Sequence, residues 1–391
     1  MKERHHFAFI LGFVGFVTSF GAHIVTVNLP VYAERVGMGL AMIGILIAIY
    51  DFAEIIAKPL FGFLADKTGM KRTMLLGIVF FTIASLLYLW INPHLLLLVR
   101  FLQGMGAAAL SAVSLALIGV YYKENRGRAY GIYNAIKGAG YVVSPIIGGL
   151  LVVHSNFASI FIASAIIGGI AFLLSLALPD IKQEGVDLDD DDDISWKSLA
   201  GTFKDHTLLR WYAVIVVNMF FVGVLFGFLP VRIHDLGYSP LMTGILLSLT
   251  ALSYLVVQPI AGRLADTANA VRTIQIGLLL SAISTILIPF VAGIALGITA
   301  IVAGIGIGIV WTNTDTIISR LSREGALGMT MGVAGSFKEF GDMVGPALIG
   351  FLSQAWGLTS GFVACGLLGL LSLGFIPGLH TSDRKKQSLQ P

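Results

Sequence analysis

The chain has 391 residues, of which 56% are hydrophobic and only 12% charged, with a formal net charge of +3. Soluble domains carry about 25% charged residues, so this composition belongs to a chain whose solvent is lipid, and the small positive excess implies no nucleic-acid partner. The single cysteine, Cys365, excludes internal disulfides and metal–thiolate clusters, and no metal-ligating set is assigned.

In chain order, the charged start MKERHH leads into an apolar run too long for a cleaved leader, so a retained helix is expected. Runs of about 20 apolar residues, each enough to cross a hydrocarbon core as a helix, recur along the chain. Twelve spans are predicted, at 7–29, 41–61, 73–91, 95–120, 129–153, 157–178, 211–230, 241–262, 273–292, 295–318, 328–354 and 358–379. Only a helix satisfies its own backbone in lipid, so the fold class is an all-α membrane protein. With the N-terminus inside, nineteen Lys and Arg fall in cytoplasmic segments and two, Arg35 and Arg232, in outer loops. That asymmetry places both termini in the cytoplasm and predicts residence in the cell membrane.

The one long polar stretch is 180–209, with an acidic run from Asp189 to Asp193 that reads as a solvated linker. No EF-hand spacing supports a calcium site there. It divides the chain into a first bundle over 1–179 and a second over 210–391. Superposing these at an offset of 200 aligns Leu29-Pro30-Val31 with Leu229-Pro230-Val231, and Gly44-Ile45-Leu46 with Gly244-Ile245-Leu246. At an offset of 201, Lys137, Gly140, Pro145 and Gly149 meet Lys338, Gly341, Pro346 and Gly350. Six crossings per copy insert both copies the same way up. Such parallel repeats place a binding site near the midplane between two rocking halves.

Three motifs carry a family resemblance. GFLADKTGMKR, from Gly62 to Arg72, resembles the loop-2/3 signature of the major facilitator superfamily, with Gly62, Asp66, Gly69 and Arg72 in register. RFLQGMGAA, from Arg100 to Ala108, resembles its fourth-span signature. GYVVSPIIGG, from Gly140 to Gly149, resembles the fifth-span antiporter signature through Gly140, Pro145, Gly148 and Gly149, with Ser144 where that pattern usually has Gly. The twelve-span drug–proton antiporter branch is the one most resembled. The resemblance implies a cytoplasmic latch of Gly62, Asp66, Gly69, Arg72, Glu124 and Arg126 that closes the inner side in the outward-facing state. Read from residue chemistry alone, Gly62 permits close helix approach and Gly69 a tight turn. Ordinary solvated loop charges are the other reading of this cluster.

Ionisable groups inside the spans are Asp51, Glu54, Lys58, Arg100, Lys137, Lys338, Glu339 and Asp342. Each costs about 2.5–3.5 kcal/mol at a helix centre on insertion scales, so they are expected to face a partner or a wet cavity. Asp51, Glu54 and Lys58 fall at i, i+3 and i+7, on one face, as do Lys338 and Asp342 at i, i+4. In the superfamily fold spans 2 and 11 are neighbours, so Asp51 or Glu54 is expected to pair with Lys338. Lys58, near the cytoplasmic boundary where it can snorkel, is expected to play a structural part, as in an internal ion pair, rather than a functional one. Removal from water favours a neutral carboxylic acid, which makes Asp51, Glu54, Glu339 and Asp342 candidate proton carriers; internal ion pairs that only hold the halves together are the alternative. Arg100, by the resemblance, supports proton coupling, with a structural pairing to span 1 as the alternative. His23 reads as a satisfied hydrogen-bond donor, and Asp315 as a substrate contact or part of a helix-end polar cluster. The GIGIG run at Gly304 to Gly308 lies mid-span with no preceding strand and reads as close packing.

No GxxxxGK[ST] loop supports ATP-driven transport, and no HExxH or nucleophile–base set supports an intramembrane enzyme. A two-fold repeat with charges of both signs suits alternating access better than a pore ring. The expected function is proton-coupled efflux of a small organic solute or drug by a functional monomer, with the proton gradient as energy source and no cofactor. The alternatives are a proton-linked symporter importing an organic anion or metabolite, and a lipid flippase.

Overall fold

The computed structural model describes residues 5–122, 126–179, 205–267, 270–322 and 327–376. Among them are twelve α-helices and no strand. The first half contains α1 (His5–Arg35), α2 (Leu40–Thr68), α3 (Met70–Leu87), α4 (Leu96–Tyr121), α5 (Arg126–His154) and α6 (Ala158–Leu176). The second contains α7 (His206–Asp235), α8 (Pro240–Thr267), α9 (Ala270–Leu287), α10 (Gly293–Leu321), α11 (Leu327–Trp356) and α12 (Leu358–Ser372). The longest have 31 and 30 residues, about 45 Å at 1.5 Å per residue, so they overrun a hydrocarbon core of about 30 Å. Eleven of the twelve are long and apolar enough to cross a membrane; α11, which carries Lys338, Glu339 and Asp342, is the one that falls short.

One boundary differs from the sequence expectation. The polar stretch to residue 209 was expected to be linker throughout, but α7 already starts at His206. Asp205 caps it, its carboxylate accepting from the Thr207 and Leu208 amides at 2.9 and 3.2 Å, which satisfies two donors that a helix start leaves unpaired. The acidic run itself, within 180–204, lies outside the described residues.

The two halves repeat one packing scheme. In the first, α1 packs on α5, α2 on α4, α3 on α4 and α3 on α6; in the second, α7 packs on α11, α8 on α10, α9 on α10 and α9 on α12. Between the halves, α2 packs on α11 and α5 on α8, again as equivalent pairs, and α1 touches α7. The α2–α11 pair is antiparallel, with Gly44 against Pro346 and Gly350. In the equivalent place Gly244 lies against Pro145, and Gly149 against Pro240. A Cβ on Gly44 or Gly244 would collide with the facing proline carbonyl, so glycine is what lets these backbones meet.

These contacts all lie at the end of the bundle that holds the α1–α2 and α7–α8 turns. There one apolar core runs through both halves, including Leu29, Ile43, Leu46, Leu229, Leu246 and Leu247. At the opposite end the first half has a core of its own, built from residues such as Leu11, Met74, Leu110 and Tyr133. Gly62 of α2, Gly131 of α5, and Gly332 and Gly335 of α11 meet nothing within 4 Å of where a side chain would begin. The seam is shut at one end and parted at the other. Gly62 therefore makes no close helix approach, contrary to expectation, because the halves have separated at its level. Gly69 does form the tight turn between α2 and α3, at φ 99°.

Candidate functional site

α2 has two faces. Phe52, Ile56, Leu60 and Phe63 are exposed on the outside of the bundle, where lipid would cover them. The opposite face presents Asp51, Glu54 and Lys58 to α11 across the seam, as their helical spacing requires. Since α2 and α11 run antiparallel, Gly44 meets Gly350, Lys58 meets Glu339, and Asp51 falls between them at the level of Asp342.

Lys58 lies at the centre of an ion-pair network. Its ammonium is 2.6 Å from Glu54 Oε2, one turn away on α2, and 2.6 Å from Glu339 Oε1 on α11. Two carboxylates thus hold Lys58 in the seam, as internal ion pairs between the halves would. One expectation is corrected. Neither Asp51 nor Glu54 pairs with Lys338, because the helical rotation of α11 turns Lys338 toward α10 and Glu339 toward α2. Lys338 pairs instead with Asp315 of α10 at 2.7 Å and lies over the Trp311 ring, 5.1 Å from its centroid.

The network is reachable from the parted end. The side chains of Lys58 and Glu339 retain 30% and 27% of their accessible surface, and Glu54 only 11%. One to two turns deeper, Asp51 and Asp342 form no ion pair among the described residues, and Asp342 Oδ1 is buried without a hydrogen-bond partner. The seam thus holds four acids and one lysine between α2 and α11. Removing two facing carboxylates from water is tolerable only with a cation or a proton between them.

On the α5–α8 side the lining is aromatic. Tyr254 of α8 stacks parallel to Trp311, with centroids 6.3 Å apart, and Tyr141 of α5 meets Tyr254 edge-on at 6.5 Å across the seam. His23 of α1 completes the run, edge-on to Tyr141 at 4.3 Å and to Phe226 of α7 at 5.7 Å. Its Nδ1 donates to the Ser19 carbonyl at 2.9 Å, so it is the satisfied donor expected of it. Lys137 forms no ion pair among the described residues; Tyr141 lies one turn further along α5. The repeat therefore duplicates the lysines but not their surroundings. Asp315 on α10 faces Lys338, whereas Ser114 occupies the corresponding level of α4 and meets the Tyr133 hydroxyl at 3.2 Å.

Arg100 does not belong to the seam network. It is 1% exposed inside the first half, over the Tyr50 ring at 4.3 Å, donating to Gln103 Oε1 at 2.8 Å and to the Thr26 hydroxyl of α1. The structural pairing with span 1 is the arrangement observed, because the side chain points from α4 into the α1–α2 interface rather than across the halves. The span-5 motif splits in two: Gly140 and Gly148 face Ser19 and Asn28 of α1, while Pro145 and Gly149 face α8. Of the latch residues, Glu124 and the side chains of Asp66 and Arg126 lie outside the described residues, and Arg72 is exposed. Tyr141, Tyr254 and Phe226 were not singled out in the sequence, since an aromatic residue on a membrane helix looks the same whether it faces lipid, core or seam.

Comparison with known proteins agrees with this architecture. The sequence model of the Major Facilitator Superfamily matches residues 11–232 and again 211–390. Quinolone resistance protein NorA of Staphylococcus aureus is 28% identical over 172 residues, 44% of this chain and 44% of NorA, so the match spans under half the length of that relative. Among solved structures, a bacterial homologue of the human lysosomal transporter Spinster, in an inward-facing and unoccupied conformation, superposes with a TM-score of 0.81 at 15% identity, covering 95% of this chain and 96% of the other. A D-xylose–proton symporter superposes at 0.78 and 13% identity, covering 95% and 98%. At these identities the structural matches establish the fold alone. With the family model covering nearly the whole sequence in two successive matches, the chain belongs to the Major Facilitator Superfamily.

Proposed function

We propose that this transporter couples an inward flow of protons to export of a small organic solute, by alternating access about the seam. The observation that carries this reading is the cross-seam network Glu54–Lys58–Glu339, with Asp51 and Asp342 beside it. It ties the two halves where they must separate, and it is made of groups that can exchange a lysine for a proton. A proton taken up by Glu339 breaks its tie to Lys58 and loosens the seam, while Glu54 keeps the ammonium paired on its own helix; loss of that proton draws the halves together again. One proton moving inward yields about 2.3 kcal/mol per 100 mV of membrane potential, which can drive uphill export.

Three features support the exporter over the importer. The fifth-span motif lies at the shut end, where Pro145 and Gly149 pack on α8. The aromatic run of His23, Tyr141, Tyr254 and Trp311 suits a flat apolar solute better than a sugar or small acid. The NorA relative is named for quinolone resistance. With the Lys and Arg asymmetry setting the parted end in the cytoplasm of the cell membrane, the arrangement is inward-open and ready to load from inside. Lys137 and Lys338 favour one alternative, a symporter for an organic anion.

Solute-dependent proton flux in vesicles reconstituted with the purified chain separates the two. For an exporter, protons and an added planar aromatic cation move in opposite directions. Co-directional movement of protons with an organic anion would establish the symporter instead.

A further inference from the structure

The helix ends of α1 and α7 meet at the shut end of the seam. Glu34 and His234 occupy equivalent places in the two repeats, 200 residues apart, each three residues before a turn glycine of positive φ, Gly37 at 89° and Gly237 at 78°. Side chains at equivalent positions beside a pseudo-two-fold axis come face to face, and His234 Nδ1 lies 3.7 Å from Glu34 Oε2. Asp235 joins them: one ligand atom from each of the three residues lies within 4.8 Å of the others.

The chemistry around these groups is one-sided. Glu34 Oε2 is shielded from solvent and accepts no hydrogen bond. The two arginines of this end are engaged elsewhere, Arg35 over the Phe157 ring at 4.9 Å and Arg232 donating to the Pro289 carbonyl at 2.8 Å. Among the described residues neither carboxylate has a Lys or Arg partner. The C-termini of α1 and α7 add the negative ends of two helix dipoles. In a tetrahedral zinc site with bonds of about 2.0–2.1 Å, ligand atoms lie about 3.3–3.4 Å apart. The Glu34–His234 separation is a few tenths of an ångström from that, and Asp235, exposed at its helix end, offers a ligand atom within 4.8 Å of both. An imidazole with two carboxylates suits zinc and its neighbours rather than calcium or magnesium.

We propose that Glu34, His234 and Asp235 bind a divalent transition metal of the zinc class, with water completing the shell, and that the bound ion clamps the two halves together at this end. The site is independent of proton coupling and of any solute.

The test uses the full chain purified through a histidine-free tag and stripped with EDTA, titrated with zinc by calorimetry. One zinc per chain is expected, with affinity reduced at least about tenfold, or 1.4 kcal/mol, in His234→Ala and in Glu34→Gln. His94→Ala, at a surface histidine elsewhere, leaves it unchanged. Glu34→Gln and Asp235→Asn keep side-chain size, so they carry the test should His234→Ala fold poorly. No binding by the wild-type chain, or wild-type affinity retained in all three site variants (an adventitious ion only), overturns the site. The clamp is read separately. Ile47→Cys, at the position that packs on Gly227 across the seam, is open to a thiol reagent only when this end opens. Zinc should slow its modification in the wild-type background and not with His234→Ala. Equal rates with zinc bound would overturn the clamp. Neither readout requires transport, so failure here is distinct from failure of the proton-coupling reading.

Discussion

At the residue scale, Lys58 joins the two halves across the seam. One ammonium shared by Glu54 of its own helix and Glu339 of the other half makes the ion pairs both local and inter-domain. Breaking a buried pair on one side leaves a charge without compensation, whereas protonating a carboxylate leaves none. Glu54→Gln fixes the protonated form. We expect it to reduce proton-driven solute movement at least about tenfold, a barrier change of about 1.4 kcal/mol, with insertion unchanged. Transport rates at wild-type level at every pH would reject the coupling role. The acids were legible in the sequence because charge in a span of this apolarity is conspicuous. Their partners were not: a helical wheel shows that Asp51, Glu54 and Lys58 share a face, but not the rotation of α11, 281 residues away, that presents Glu339 and withdraws Lys338.

At the scale of elements, two equivalent crossings hold the shut end, α2 on α11 and α5 on α8, each with a glycine against a proline carbonyl. Proline inside a helix leaves an upstream carbonyl without its donor and bends the axis, and glycine on the partner lets the backbones touch. Gly244→Leu places a side chain where the Pro145 carbonyl lies, so we expect the shut arrangement to lose about 1–3 kcal/mol through overpacking. The melting temperature in detergent should fall, while the same change at Gly131, which faces open space, leaves it unaltered. Equal effects at both positions would show that this crossing does not hold the seam. The fifth-span motif was visible as a string of small residues; that Gly140 and Gly148 serve α1 while Pro145 and Gly149 serve α8 follows only from which side of α5 each neighbour occupies.

At the scale of the molecule, alternating access requires the shut end to open. Gly39, at the start of α2, lies against Gln354 near the end of α11. A Gly39→Cys, Gln354→Cys pair joined by a short bifunctional thiol reagent should therefore arrest transport, and a cleavable reagent should restore it on reduction. Background from the native thiol is low, because Cys365 is buried at 1% exposure. Undiminished transport in the cross-linked chain would mean that solute passes without this end parting.

The sequence by itself determined the solvent, the twelve helices and their duplication in two halves. These follow from apolar run length, the need for helix in lipid, and residue-by-residue correspondence at a fixed offset, all of which are local or periodic properties. It also singled out the ionisable groups inside the spans. Only the tertiary structure decided which of them meet, Lys58 with Glu339, Lys338 with Asp315, and Arg100 with Thr26 and Tyr50, and it brought together Glu34 and His234, which no pattern along the chain marks. Those pairings depend on how far each helix is rotated and slid against its neighbour. A shift of one residue turns a side chain by about 100°, and packing across the seam, rather than any pattern along the chain, sets that angle.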